Sequence, residues 1–216
     1  MIKAIPLLLA LAGAASMIPV AHAQDAAAGH AKAAMCIGCH GILGYRASFP
    51  EVHKVPMIAG QNAKYLETAL QEYKKGERKH PTMRAIAASL SEKDMADLAA
   101  YYEQLGQSSV KTVAAAPAPS SEVEALLTKG NCASCHGADF NKPIDGSYPK
   151  LAGQYADYLY VALKAYQTEG NPRIGRGNPI MVGQVGQFKH SELKAIADYV
   201  GSLPGSIATV PQAKFR

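Results

Sequence analysis

Cys36-Ile37-Gly38-Cys39-His40-Gly41 decides how this chain is read, because the same frame returns as Cys132-Ala133-Ser134-Cys135-His136-Gly137, displaced by 96 residues. Outward from these hexapeptides, Pro56-Met57-Ile58-Ala59-Gly60-Gln61 matches Pro149-Lys150-Leu151-Ala152-Gly153-Gln154 at an offset of 93. Leu66, Leu70 and Tyr73 match Leu159, Leu163 and Tyr166 at the same offset. Arg78, Pro81, Met83, Leu98, Tyr101 and Leu105 then match Arg176, Pro179, Met181, Ile196, Tyr199 and Leu203 at an offset of 98. The offset moves only inside Gly- and Pro-rich stretches, where surface loops accept insertions. A unit of roughly 90 residues therefore occurs twice.

Each copy reads as helical. Segments Ala26 to Met35 and Glu122 to Lys129 precede the two Cys motifs, with Ser121 placed to cap the second. Tyr65, Leu66, Ala69, Leu70 and Tyr73 follow a 3.6-residue spacing, as do Tyr158, Leu159, Ala162, Leu163 and Tyr166. The last helix of each copy starts at Ser91, with Asp94 three residues on, and at Ser191. No alternating strand pattern competes. Between the copies, residues 110–121 contain Ala114-Ala115-Ala116-Pro117-Ala118-Pro119-Ser120, small and proline-stiffened, which reads as a semi-rigid linker. The expected architecture is all-α, with a first domain over 24–109, the linker over 110–121 and a second domain over 122–216.

Residues 1–23 carry Lys3, an apolar stretch from Ala4 to Val20 and Ala21-His22-Ala23 before Gln24, the pattern of a secretory signal peptide. Pro6 and Pro19 interrupt that stretch, which falls short of the ~20 apolar residues of a spanning helix. Cleavage after Ala23 would deliver to the periplasm a chain without a transmembrane segment. The formal charge of +5 is modest and its basic residues are scattered among acidic ones, so no nucleic-acid partner is expected.

A Cys-x-x-Cys-His frame lets two thiols form thioethers with one haem while the imidazole reaches its iron from the same turn, the spacing of c-type haem attachment. A thioredoxin-like redox pair would want a strand-then-helix setting and needs no following His. A shared zinc site would have to gather two Cys pairs across 96 residues and a Pro-rich linker. The expectation is two haem c groups, one on Cys36 and Cys39, the other on Cys132 and Cys135, with His40 and His136 as axial ligands.

If the sixth ligand is a thioether, elimination identifies it. The only methionine after residue 95 is Met181, and the repeat pairs it with Met83. His40 to Met83 spans 43 residues and His136 to Met181 spans 45. Met57 falls opposite Lys150, Met95 sits on the apolar face of the last helix, and Met35 is too close to Cys36. Axial Met raises the reduction potential, and an iron closed on both sides performs outer-sphere electron transfer. His53, His80 and His190 have no histidine partner in the other copy and read as surface residues, with His80 kept as an alternative ligand three residues before Met83. Lys74, Lys75, Arg78, Lys79, Arg173 and Arg176 form either a docking ring, solvated loops, or, for Arg78 and Arg176, partners of the haem propionates.

These residues resemble the cytochrome c4 family, dihaem class I cytochromes built of two similar mono-haem helical domains, across nearly the whole expected mature chain. The resemblance rests on both hexapeptides, Pro56 to Gln61, Met83 with Ile86 and Leu90-Ser91, Asp97 to Tyr102, and Asn178-Pro179-Ile180-Met181. It implies His40/Met83 and His136/Met181 ligation, and carbonyls of Pro56 and Pro149 accepting from the ligating imidazoles. It also implies internal electron passage between the haems. The chain departs at residues 44–52, a longer stretch than its counterpart and placed to alter one haem edge, and at Met57, where the family more often has Lys or Asn. The function implied is a non-enzymatic carrier between a quinol-oxidising complex or dehydrogenase and a terminal oxidase or reductase. The alternative is the electron-accepting subunit of a periplasmic dehydrogenase.

Overall fold

The computed structural model describes residues 24–107 and 115–212. The expected signal peptide and residues 110–114 of the expected linker lie outside the described residues. In the first half, α1 (Ala26–Lys32) is capped by Asp25, whose Oδ1 accepts from the Ala27 and Ala28 N–H groups at 2.9 and 3.1 Å. The chain turns at Ala33 into α2 (Ala34–His40), which carries the first Cys motif. A two-residue ribbon follows, β1 (Arg46–Ala47) antiparallel to β2 (His53–Lys54). Next come α3 (Ala63–Lys75), β3 (Arg78–Lys79), α4 (Pro81–Ala88) and α5 (Glu92–Gln107). The second half runs α6 (Ser121–Lys129), α7 (Cys132–His136), α8 (Ala156–Tyr166), β4 (Gly175–Arg176), α9 (Pro179–Val185) and α10 (His190–Ser202).

Sequence signals and helix ends agree closely. Ser91 and Asp94 form the expected reciprocal cap, Asp94 N–H to Ser91 Oγ at 3.1 Å and Ser91 N–H to Asp94 Oδ2 at 3.0 Å. The expected segment Ala26 to Met35 is broken at Ala33, where α1 ends and α2 begins, and two other ends shift by one residue. Ser120, rather than Ser121, caps α6 through the Val123 N–H, and α10 begins at His190 because the Glu192 carboxylate accepts from the Lys189 N–H at 2.7 Å. The four short strands were absent from the periodicity, as two-residue pairings leave no alternation to read.

Two cores follow the repeat. Tyr73, Leu90, Met95, Leu98 and Tyr102 anchor the first, and Met95 is fully buried, as its place on the apolar face of α5 requires. Leu126, Phe140, Leu159, Phe188, Leu193 and Val200 anchor the second. α3 and α5 pack together in one half and α8 and α10 in the other, so equivalent helix pairs support equivalent sites.

The halves are firmly joined. β3 pairs antiparallel with β4, placing Arg78 opposite Arg176. The segment after α10 returns to the first half, where Ala208 exchanges backbone hydrogen bonds with Ala59 at 2.9 and 3.2 Å, Val210 packs on the first core and Gln212 bonds the Tyr101 hydroxyl. Residues 44–52, expected to alter one haem edge, and the adjoining β2 also reach α8. Lys164 pairs with Glu51 at 2.5 Å, the Lys54 N–H donates to Asp157 at 3.1 Å, and the His53 ring tilts over Tyr158. His53 is consequently 5% exposed, correcting its reading as a surface residue: its ring packs between the halves and its Nδ1 bonds the Glu51 carbonyl at 2.8 Å. Among the described residues no helix is long and apolar enough to cross a membrane.

Candidate haem-binding sites

Helix α2 sets Cys36 and Cys39 three residues apart, and therefore on one face, with His40 at its last position. α7 repeats this for Cys132, Cys135 and His136. All four thiols are free and half-buried. His40 Nδ1 bonds the Pro56 carbonyl oxygen at 2.8 Å, and His136 Nδ1 bonds that of Pro149 at 3.1 Å. A carbonyl can only accept, so Nδ1 carries the proton and Nε2 presents its lone pair. That is the orientation of a metal-binding imidazole. Burial holds both rings in the neutral form, lowering their pKa against the opposing pull of the proline carbonyl. Arg78 and His80 push His40 the same way.

The two expected methionines occupy equivalent places. Met83 lies in the first turn of α4 and packs on the first core, as Cys36 does. Met181 lies in the first turn of α9 and packs on the second core, as Cys132 does. Proline opens each of these helices, where its missing N–H costs nothing. Each methionine N–H is held by the capping residue, Asn178 Oδ1 at 3.1 Å for Met181 and His80 Nδ1 at 3.4 Å for Met83. His80, left open as a ligand by the sequence, serves here as the helix cap of the residue it rivalled.

Between the halves the repeat builds a second feature. Arg78 is 6% exposed, donates to the hydroxyls of Tyr65 at 3.1 Å and Tyr158 at 2.8 Å, and lies over the Tyr73 ring. Arg176 donates to the same Tyr158 hydroxyl at 3.1 Å and lies over the Tyr166 ring. Neither guanidinium pairs with a carboxylate among the described residues, and Arg78 Nε is buried without a hydrogen-bond partner. Burial alone would push the Tyr158 phenol up, yet the two guanidinium groups bring it down to about 8. A surplus of buried positive charge with an orphaned donor fits a group that brings carboxylates of its own, and each haem brings two propionates. The same burial removes Arg78 from any docking ring.

The rival readings of the cysteines find no support in this geometry. Burial pushes the Cys36 thiol up to about 11 and raises that of Cys132, whereas a disulfide-exchanging pair depends on a lowered thiol pKa. No strand leads into either motif. Among the described residues no group of three or more His, Cys, Asp or Glu could hold a metal ion, which leaves no shared zinc site.

Sequence reasoning passed over Gln61 and Gln154. Both end the repeated Pro-to-Gln segment, and that recurrence was the available signal. Each is buried and reaches across to the other half's backbone, Gln61 to both the N–H and the carbonyl of Lys150 and Gln154 to those of Met57.

The family model for cytochrome c matches residues 25–106 and again 120–204. Cytochrome c4 of Azotobacter vinelandii is 32% identical over 202 residues, covering 85% of this chain and 92% of that protein. The thiosulfate dehydrogenase electron acceptor of Stutzerimonas stutzeri is 29% identical over 210 residues, covering 89% of this chain and 94% of that protein. The crystal structure of reduced recombinant cytochrome c4 from Pseudomonas stutzeri superposes with a TM-score of 0.60 at 27% identity, covering 84% of this chain and all of that one.

Proposed function

Since the chain belongs to the cytochrome c family, with two such domains in tandem and two covalently bound haem c groups, we propose that this electron-transfer cytochrome works in the periplasm as a one-electron carrier. In this reading it accepts electrons from a quinol-oxidising complex or a dehydrogenase and passes them towards a terminal oxidase or reductase. The domains span 24–109 and 122–216, joined by 110–121. Cys36 and Cys39 attach one haem and Cys132 and Cys135 the other, with His40/Met83 and His136/Met181 as the axial pairs.

The observation that carries this reading is the duplicated donor set. In both halves a neutral imidazole, half-buried for His40 and buried for His136, is aimed by a proline carbonyl, and a methionine is held on the first turn of a capped helix. Haem c supplies one-electron Fe(III)/Fe(II) chemistry. The chain's residues orient the imidazoles and would offset propionate charge through the Arg78/Arg176 pair. With a methionine on each iron, as this reading has it, no protein-provided opening would remain for a substrate, which favours transfer through the cofactor edge over bond-making chemistry.

The relatedness to a thiosulfate dehydrogenase electron acceptor favours a second reading, in which the chain is the electron-accepting subunit of a periplasmic dehydrogenase. Rapid-mixing reduction by membranes and by a thiosulfate-oxidising dehydrogenase separates the two. A second-order rate that falls with ionic strength is expected for the carrier, since exposed charges steer the encounter. Salt-resistant co-elution with the dehydrogenase at fixed stoichiometry would favour the subunit, and no electron exchange with either donor would overturn both.

A further inference from the structure

We propose that the buried glutamine of each half tunes the axial histidine of the other: Gln154 sets the hydrogen bond of His40, Gln61 sets that of His136, and each thereby lowers the reduction potential of the opposite centre. This rests on the ligand assignment above and adds two positioning residues to it.

One peptide group in each half makes the link. The unit joining Pro56 to Met57 accepts at its carbonyl from His40 Nδ1 at 2.8 Å, and donates from its N–H to Gln154 Oε1 at 3.0 Å. Its repeat counterpart, joining Pro149 to Lys150, accepts from His136 Nδ1 at 3.1 Å and donates to Gln61 Oε1 at 2.9 Å. Each peptide is thus shared between the histidine of its own half and the glutamine of the other. Gln154 Nε2 also donates to the Met57 carbonyl, and Gln61 Nε2 to that of Lys150, both at 2.9 Å. Two bonds to one backbone residue fix the plane of each side-chain amide.

A peptide N–H and its carbonyl belong to one resonance system. Donation by the N–H moves electron density onto the carbonyl oxygen, and hydrogen bonds in such chains strengthen one another. The proline oxygen becomes a better acceptor, the histidine N–H is drawn towards it and the imidazole gains anionic character. A more basic ligand favours the oxidised metal. With Gln61 3% and Gln154 4% exposed, water does not compete for these bonds.

The local backbone serves the same end. Gly60 and Gly153 adopt φ of +82° and +75°, which disfavours any side chain, and a Cβ on Gly60 would sit 2.4 Å from the Ser206 carbonyl oxygen. The turn throws the next residue, glutamine, out of its own half. Each Oε1 also accepts from the following N–H, of Asn62 and of Tyr155, at 3.0 Å, so the amide is braced on both sides of the interface. One consequence is that the potentials depend on docking of the halves: parting them would raise both.

The test uses the full-length holoprotein with Gln154→Met and Gln61→Met, which keep side-chain length and remove the amide. A redox titration resolving the two centres is combined with NMR of the axial-histidine Nδ1–H. Gln154→Met should raise the first-half potential, move the His40 proton upfield and leave the second half in place, and Gln61→Met should do the reverse. Lys64→Ala, which removes the exposed interface pair with Asp145, should move neither proton. Shifts confined to the glutamine's own half, equal in both halves, reproduced by Lys64→Ala, or absent altogether would overturn the proposal. Should the methionine variants not fold, Gln154→Asn and Gln61→Asn withdraw the oxygen by one methylene and are read in the same way. The ligand assignment fails separately, if the His40 and His136 rings of the oxidised wild type lack paramagnetic shifts.

Discussion

In the first half α1 lies so close to α5 that a Cβ on Gly29 would stand 2.1 Å from the Asp97 carbonyl oxygen. The buried Asp97 carboxylate ties the entry of that helix, accepting from the Asp25 N–H and from Lys93, each at 3.0 Å. In the second half the repeat places Ala125 and Ala195 at these positions. Ala125 is exposed, and α6 rests more lightly on α10, while Phe140 and Phe188 fill the second core. The contact of the first helix of each half with the last has diverged, whereas the Cys motif, the proline carbonyl, the Gly-Gln turn and the methionine helix have kept their geometry. The first set supports only its own half. The second, in the proposed assignment, serves the cofactors and the interface at once, so a change there is expected to be felt on both sides.

The largest effect tests dependence on the cofactor. Cys132→Ser with Cys135→Ser is expected to halve the haem content and unfold the second half, because a domain of this size buries little surface without its cofactor. Circular dichroism should lose roughly the second half's share of helix, and native helicity without that haem would contradict the expectation. The Gly29 contrast comes next. Gly29→Val should destabilise the first half by about 1–3 kcal/mol through overpacking, while Ala125→Val should stay within about 0.5 kcal/mol, both read by denaturant unfolding.

Asp97 sharpens the same contrast by pH. Burial alone would raise its pKa, but the bonds from Lys93 and Asp25 hold the carboxyl below its usual value of 3.8. A depressed folded pKa gives stability that is present above the unfolded value and lost as pH falls through the folded one. Below about pH 4 the wild-type first half should lose stability that Asp97→Asn never had, and parallel acid unfolding curves would refute this. The smallest effect concerns the caps. Asn178→Ala should cost about 1 kcal/mol and weaken the absorption signature of Met181 ligation, and His80→Ala, whose bond to Met83 is longer, should cost less.

Most of the site could be read in the chain. The hexapeptides and the repeat point to the proposed haem attachments, because covalent attachment imposes a local spacing that survives in sequence, and the proposed Met83 ligand follows from Met181 through the repeat. Apolar periodicity placed the long helices, since burial of one face is recorded at every turn. The interface was less visible. Arg78 stays open in the sequence among docking charge, solvated loop and propionate partner because a sequence does not reveal that Tyr65, Tyr73 and Tyr158 close over it, and His53 reads as surface because its burial depends on a ring from the other half. Gln61 and Gln154 recur in plain view, yet their proposed role depends on contacts between residues 89 and 97 positions apart.

The central claim, an electron carrier with both irons closed by protein ligands, is tested most directly by the visible spectrum of the reduced protein before and after carbon monoxide, with haem counted against polypeptide. Two haems per chain and an unchanged spectrum are the expected result. Rapid carbon monoxide binding at either centre would reveal an open or labile site and contradict the double His/Met assignment.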